Sequence, residues 1–192
     1  PALYCEGISL VFYTDLAEQQ REDTAVQFRQ RIFPVLTPLA VDPSHPFPYI
    51  SDLSLNLAVL VFDPRDGRRL FARVKVPNTL ARWVHIGDSY VPLEQVIAAH
   101  LGLLFPGMEI LEHYAFRVTR NADLTLEEED ADDLLVAVEY ELRRQRFGRA
   151  VRLEISASMS EEVLDLLLRE LDLDPTDVCA SVAPLDARSL FE

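Results

Sequence analysis

Three side chains near the front of the chain, Asp42, His45 and Asp52, are of the types that hold a divalent metal or divide acid and base roles. Two carboxylates flanking an imidazole would suit a small metal-dependent hydrolase. The competing reading is a loop histidine whose hydrogen bonds fix its own segment. A catalytic histidine also needs a placed partner, and no spacing here supplies one, so no catalytic and no metal-ligating residue is assigned. A second group is basic: Arg73, Lys75, Arg117 and Arg120 lie on or at the end of two expected strands. If Arg73, Lys75 and Arg117 face a common groove, they are of the right kind to contact phosphates, arginine as a fork and lysine as a point charge. Arg117 shares a face with Thr119, whereas Arg120 falls on the other. Salt bridges to the abundant carboxylates on the strand faces are the alternative.

Other chemistries find no support. The glycines stand at 7, 67, 87, 102, 107 and 148, and neither GxGxxG nor GxxxxGK[ST] can be assembled from them. His45, His85, His100 and His113 make no HExxH or HxxxH spacing, and no GxSxG elbow is present. The acidic run from Glu127 to Asp133 lacks the glycine and alternating ligands of a calcium loop, and carboxylates at a helix start are favoured by the dipole in any case. Cys5 and Cys179 sit at opposite ends without CxxC spacing, which suggests neither a zinc site nor a disulfide and fits a reducing cytosol. The net charge of −14 opposes binding of nucleic acid, free polyanions or anionic membranes unless basic residues gather on one face. No apolar run approaches the roughly 20 residues of a membrane span.

These residues must be positioned by a fold that the pattern of apolar residues outlines. Prolines at 34, 38, 43, 46 and 48 fix φ and remove donors, making the stretch from Phe33 a rigid extended arm. It leads into an expected core strand from Ser54 to Phe62, then turn formers from Asp63 to Gly67, then a strand from Leu70 to Val76. Before the arm, Ile8–Tyr13 reads as a short strand, and Leu16, Ala25, Phe28 and Ile32 share a helical face ended by Pro34. After the hairpin, Trp83–Val91 reads mostly as loop. Leu93–Leu104 reads as one amphipathic helix, stopped at Pro106 and Gly107, and Glu109–Arg120 as a strand. Thr125 and Glu128 have the spacing of a capping box opening an acidic helix that Gly148 stops. A strand at Val151–Ile155, a helix capped by Ser160, and a short strand at Val178–Val182 complete the order. The expectation is an α+β fold, a largely antiparallel sheet with helices packed on one face as a two-layer sandwich. Residues 1–192 read as a single domain, with 1–14 as an N-terminal extension. Lacking an initiator methionine, the chain reads as a segment of something larger.

Several runs then carry a resemblance. FPVLTPL at 33–39, DP at 42–43, HPFP at 45–48 and ISDLSLNLAV at 50–59 are followed by FARVKVP at 71–77 and LFPGMEILEH at 104–113. FRVTRNAD at 116–123, RRQRFGRAVRLE at 143–154 and LLLRELDLDPTDV at 166–178 come next. In this order they resemble the middle, or head, domain of the bacterial polyphosphate kinases. The departures are Asp52, where the family pattern has Asn or Gly, and the first dozen residues. The resemblance implies a parent enzyme that moves the terminal phosphate of ATP reversibly onto polyphosphate through a phosphohistidine. It also implies that the histidine and most ATP and Mg2+ contacts lie in later, phospholipase D-like domains, so no family catalytic or cofactor residue transfers to this chain. The implied role is one wall of a polyphosphate tunnel and part of the subunit contact of a cytoplasmic homo-oligomer, with the other domains as partners. The alternative is an acidic protein-interaction module without a catalytic parent.

Overall fold

The computed structural model describes residues 9–41, 46–121 and 148–187. Asp42, His45, Cys5 and the expected acidic helix after Thr125 lie outside them. The chain opens with a two-residue strand, β1 (Ser9–Leu10), and a 3-10 turn at Tyr13–Asp15. Helix α1 (Glu18–Gln27) continues as a wider π-type turn at Phe28–Ile32 and a 3-10 turn at Phe33–Val35. The widened turn brings both Phe28 and Ile32 into the core, at 0% and 4% exposure, before Pro34. Next come β2 (Pro38–Val41), β3 (Leu55–Asp63) and β4 (Arg68–Lys75). They are followed by β5 (Trp83–Ile86), β6 (Ser89–Pro92), α2 (Leu93–Ala99) and α3 (Leu101–Leu104). Strands β7 (Glu109–Arg120) and β8 (Ala150–Ser156), helix α4 (Glu161–Leu171), a 3-10 turn at Pro175–Asp177 and β9 (Val178–Ser181) finish the order.

A six-stranded sheet, in the order β2-β4-β3-β7-β8-β9, organises the rest. Every neighbouring pair in it is antiparallel except β8 and β9, which run parallel because α4 carries the chain back across the sheet between them. A smaller three-stranded sheet joins β1, β6 and β5. The segment read as loop at Trp83–Val91 is therefore a hairpin, closed through Gly87 at a φ of +59°. Its four-residue strands are too short to show alternation.

The α+β class and the largely antiparallel sheet agree with the sequence reading. The helices, however, divide between the two faces. On the first face Leu57, Val59, Val61, Ala72 and Val74 pack with Phe28 and Ile32 of the π-type turn after α1, and with Val96, Ile97 and Leu101 of α2 and α3. On the second, Ala58, Phe71, Phe116 and Val118 pack with Val163, Leu167, Leu168 and Leu171 of α4, and with Ile50 of the arm. Three layers result. The physical reason is visible in β3, where Leu55 to Val61 is buried without a break, as a strand covered on both sides must be. Two further details differ from the sequence reading. The helix expected over Leu93–Leu104 breaks at His100, whose ring stacks on Phe28 (4.5 Å) while its Nδ1 donates to the Val96 carbonyl (2.8 Å). Ser160 has the extended backbone of a cap, but its hydroxyl donates to Glu112 (2.6 Å) instead of to its own helix.

The β3–β4 turn is fixed by charge. Asp63 accepts from the Arg65 backbone N–H (2.9 Å), its Nε (3.0 Å) and its Nη2 (2.8 Å). The side-chain hydrogen bond from Arg65 is the main cause that holds the Asp63 carboxyl at about 2. A carboxyl depressed in the folded state stabilises above its unfolded value near 3.9 and loses that contribution as the pH falls toward the folded value. We expect the Asp63 carboxyl carbon to titrate near pH 2 by NMR, and Asp63→Asn to flatten the acid-stability curve below about pH 4. Titration at the ordinary aspartate value would show that the turn does not form as described.

Candidate functional site

The four basic residues singled out in the sequence do not form one groove. Arg73 pairs with Ala58 and Lys75 with Asn56, whereas Arg117 pairs with Leu55. Three positions separate Ala58 from Leu55 on β3, so Arg117 projects from the first face while Arg73 and Lys75 project from the second. The condition of a common groove for Arg73, Lys75 and Arg117 is therefore not met. It is Arg120, an odd number of residues along β7, that shares the side of Arg73 and Lys75.

Each of the four has its own surroundings. Arg117 bonds Glu154 through Nε and reaches Asp186 through Nη1 (3.2 Å), all three side chains being mostly enclosed. Arg120 donates through Nε to the Ile50 carbonyl (2.7 Å) and through Nη1 to the Gly148 carbonyl (2.8 Å), and its guanidinium lies 4.4 Å from the centre of the Tyr49 ring. Arg73 is buried and donates through Nε to Asn56 Oδ1 (2.8 Å). Burial pulls the Arg73 and Arg120 guanidinium groups below their ordinary value, and for Arg120 the charges of Tyr49 and Asp52 act in the other direction. Lys75 is partly buried and reaches Ser51 Oγ at 3.5 Å.

The arm meets this second face directly. Phe47 stacks on Phe71 (5.6 Å) and Ile50 is fully buried. A turn follows in which the Ser54 hydroxyl donates to the Ser51 carbonyl (2.8 Å), with Leu53 at a φ of +53°. Asp52, a member of the proposed metal triad, accepts the Arg120 backbone N–H (2.7 Å). It thus serves as a backbone tie between the arm and the end of β7. Among the described residues no group of three or more His, Cys, Asp and Glu side chains is gathered to hold a metal.

Two parts of the polar framework escaped the sequence reading. The first is Asn56, which the reading of Ser54–Phe62 as a core strand gives no role. Its side chain in fact joins Arg73 to Ser54, donating to the Ser54 carbonyl (2.8 Å) and hydroxyl (3.1 Å). The signal was an amide inside a strand otherwise apolar from Leu55 to Val61. The second is the buried pair of Arg82 and Glu94, bonded through both carboxylate oxygens, with Arg82 also donating to the Leu185 carbonyl (2.7 Å). Burial is the largest influence on Glu94 and raises its carboxyl, against the lowering effect of Arg82. No local pattern in the sequence announces that pairing.

The arrangement defines an α+β domain whose sheltered arginines bind its own segments together: arm to sheet, strand to strand, and the 185–186 segment to α2. Comparison with known families matches residues 19–192 to the polyphosphate kinase middle domain. A polyphosphate kinase of Streptomyces coelicolor is 58% identical over the whole chain, which covers 26% of that protein. One from Mycobacterium ulcerans is 52% identical, again over the whole chain and 28% of its own length. The crystal structure of polyphosphate kinase from Porphyromonas gingivalis superposes with a TM-score of 0.74 at 26% identity, covering 96% of this chain and 27% of that one. The chain belongs to the polyphosphate kinase middle-domain family. It spans about a quarter of the length of the relatives it matches.

The junction held by Arg120 depends on Gly148. It has a φ of +60°, and a Cβ added there would lie 2.1 Å from the Asn121 carbonyl oxygen. Gly148→Ala is therefore expected to lower stability by more than about 1 kcal/mol, whereas the same change at an unstrained position would raise it by up to about that amount, measured as a fall in urea midpoint with the slope unchanged. A neutral outcome would mean that β7 and β8 do not approach as described.

Proposed function

We propose that this chain is the middle domain of a cytoplasmic polyphosphate kinase, and that its role there is to place other parts of the enzyme and not to make bonds itself. In the reaction so assigned, the terminal phosphoryl group of ATP passes to a histidine nitrogen in another segment, leaving ADP. It then passes to the terminal oxygen of a polyphosphate chain, regenerating the histidine, and both steps reverse. ATP and Mg2+ would be held outside this chain.

The observation that carries the reading is the family match across residues 19–192. The use made of the sheltered cations supports the placing role: Arg82, Arg117 and Arg120 are spent on internal carboxylates and carbonyls. A wall for a polyphosphate passage would fall on the second face, where the arm meets Arg73 and Lys75. A subunit contact has a candidate in the exposed apolar side chains of Phe33, Val35 and Leu39, which lead into β2 at the edge of the large sheet.

The test is a transplant. The chain should replace the matching segment of the Streptomyces coelicolor enzyme with ATP-dependent polyphosphate synthesis retained, and should show no synthesis on its own. A folded but inactive chimera, or turnover by the isolated chain, would overturn the proposal.

A further inference from the structure

The second face of the sheet carries a cation that the described fold does not neutralise. Arg73 is only 7% exposed, yet among the described residues its hydrogen bond goes to a neutral amide, Asn56. Arg82 and Arg117, the arginines sheltered to a similar degree on the other face, both meet carboxylates. A guanidinium stays protonated at neutral pH, and burying a charge without a counter-charge costs several kcal/mol. Among the described residues no charge interaction offsets the burial of Arg73. Arg73 thus has no acid beside it among those residues, although the chain as a whole carries a net charge of −14.

The surroundings are rich in hydrogen-bond donors. Among the described residues no enclosed side-chain nitrogen lacks a hydrogen-bond partner. The terminal nitrogens of Arg73, for which no partner is described, are therefore not fully enclosed and keep a small accessible area on this face. Lys75 stands two residues along the same side of β4, about 7 Å away at the strand rise. Its ammonium approaches the Ser51 hydroxyl, which as an acceptor there keeps its own proton to donate. Asn56 and Ser54 link these groups without adding charge. Arg120, on the same side, is occupied by the Ile50 and Gly148 carbonyls.

We propose that Arg73 and Lys75, with the Ser51 hydroxyl, form a seat for a phosphoryl oxyanion. A tetrahedral group of charge near −2 offers separate oxygens to the guanidinium, the ammonium and the hydroxyl, and matches two cations, whereas a carboxylate carries one charge on two oxygens. The phosphate-contacting set read from the sequence thus narrows to Arg73 and Lys75, leaving Arg117 and Arg120 to internal ties. Only the source of the phosphate, a polyphosphate chain, rests on the function proposed above.

Calorimetric titration of the 192-residue chain with tripolyphosphate and with inorganic phosphate, at fixed low ionic strength and with acetate as the control anion, tests the seat. Tripolyphosphate and phosphate should give saturable binding and acetate none. Lys75→Gln should weaken binding by about tenfold, the loss of one charge-assisted hydrogen bond, and Arg73→Gln should abolish it. Arg169→Gln, a change at an exposed cation on α4, should leave it unchanged. Because Arg73→Gln removes a buried contact and can unfold the chain, the half-buried Lys75 carries the decision. Absence of saturable binding, equal effects of the Lys75 and Arg169 substitutions, or acetate binding as tightly as phosphate would each overturn the seat. An active transplant whose isolated chain binds no tripolyphosphate would remove the seat and leave the placing role standing.

Discussion

A strand covered on both sides leaves no water for its polar groups, and Leu55–Val61 is such a strand. Everything on either face follows from satisfying that condition. The apolar side chains are met from one side by the π-type turn after α1 with α2 and α3, and from the other by α4 and the arm. The one amide within that run, Asn56, must find partners inside the protein, and it does so with Ser54 and Arg73. Burying apolar area drives the collapse, but the polar chain from Ser51 through Asn56 to Arg73 limits which register the strands can adopt. A one-residue slip of β4 against β3 would turn Arg73 into the first core and leave Asn56 without its donor.

The proline arm makes sense in the same terms. Proline cannot donate to a ladder, so a segment this rich in it gains little from entering the sheet beyond its edge, where β2 runs. Its residues 46–50 meet the second face and are fixed by side chains: Phe47 on Phe71, Ile50 in the core, and Arg120 on the Ile50 carbonyl. Arg120 also reaches Gly148, so one guanidinium joins the arm to the start of β8. On the opposite face Arg82 and Arg117 do the equivalent for the 185–186 segment. The arginines thus supply the long-range order that short loops cannot.

Much of the fold was legible because its signals are local. The β3–β4 hairpin, β7, β8 and the Leu167–Leu168–Leu171 stripe of α4 all follow from apolar spacing and turn residues. The β5–β6 hairpin escapes the sequence reading because four-residue strands carry too little periodicity, and the break at His100 lies where its ring stacks on Phe28, a contact distant in sequence. Placement of helices on both faces depended on how α4 returns the chain from β8 to β9, a connection that periodicity does not report. The candidate site was legible in residue type but not in grouping. Alternation correctly separated Arg117 from Arg120, yet only the register across β3 reveals that Arg73 and Lys75 belong with the latter. The Arg82 and Glu94 pair, with its tie to the Leu185 carbonyl, lay beyond any spacing rule.

The account rests on Arg73 being held inside the second face by a neutral amide. A double-mutant cycle on Asn56→Ala and Arg73→Met, read by urea unfolding of the whole chain, measures that contact most directly. A coupling of about 1–3 kcal/mol, the range for a hydrogen bond to a charged group and for residues in contact, is the result required. Additive effects of the two substitutions would place Arg73 elsewhere, and with it the organisation of the second face.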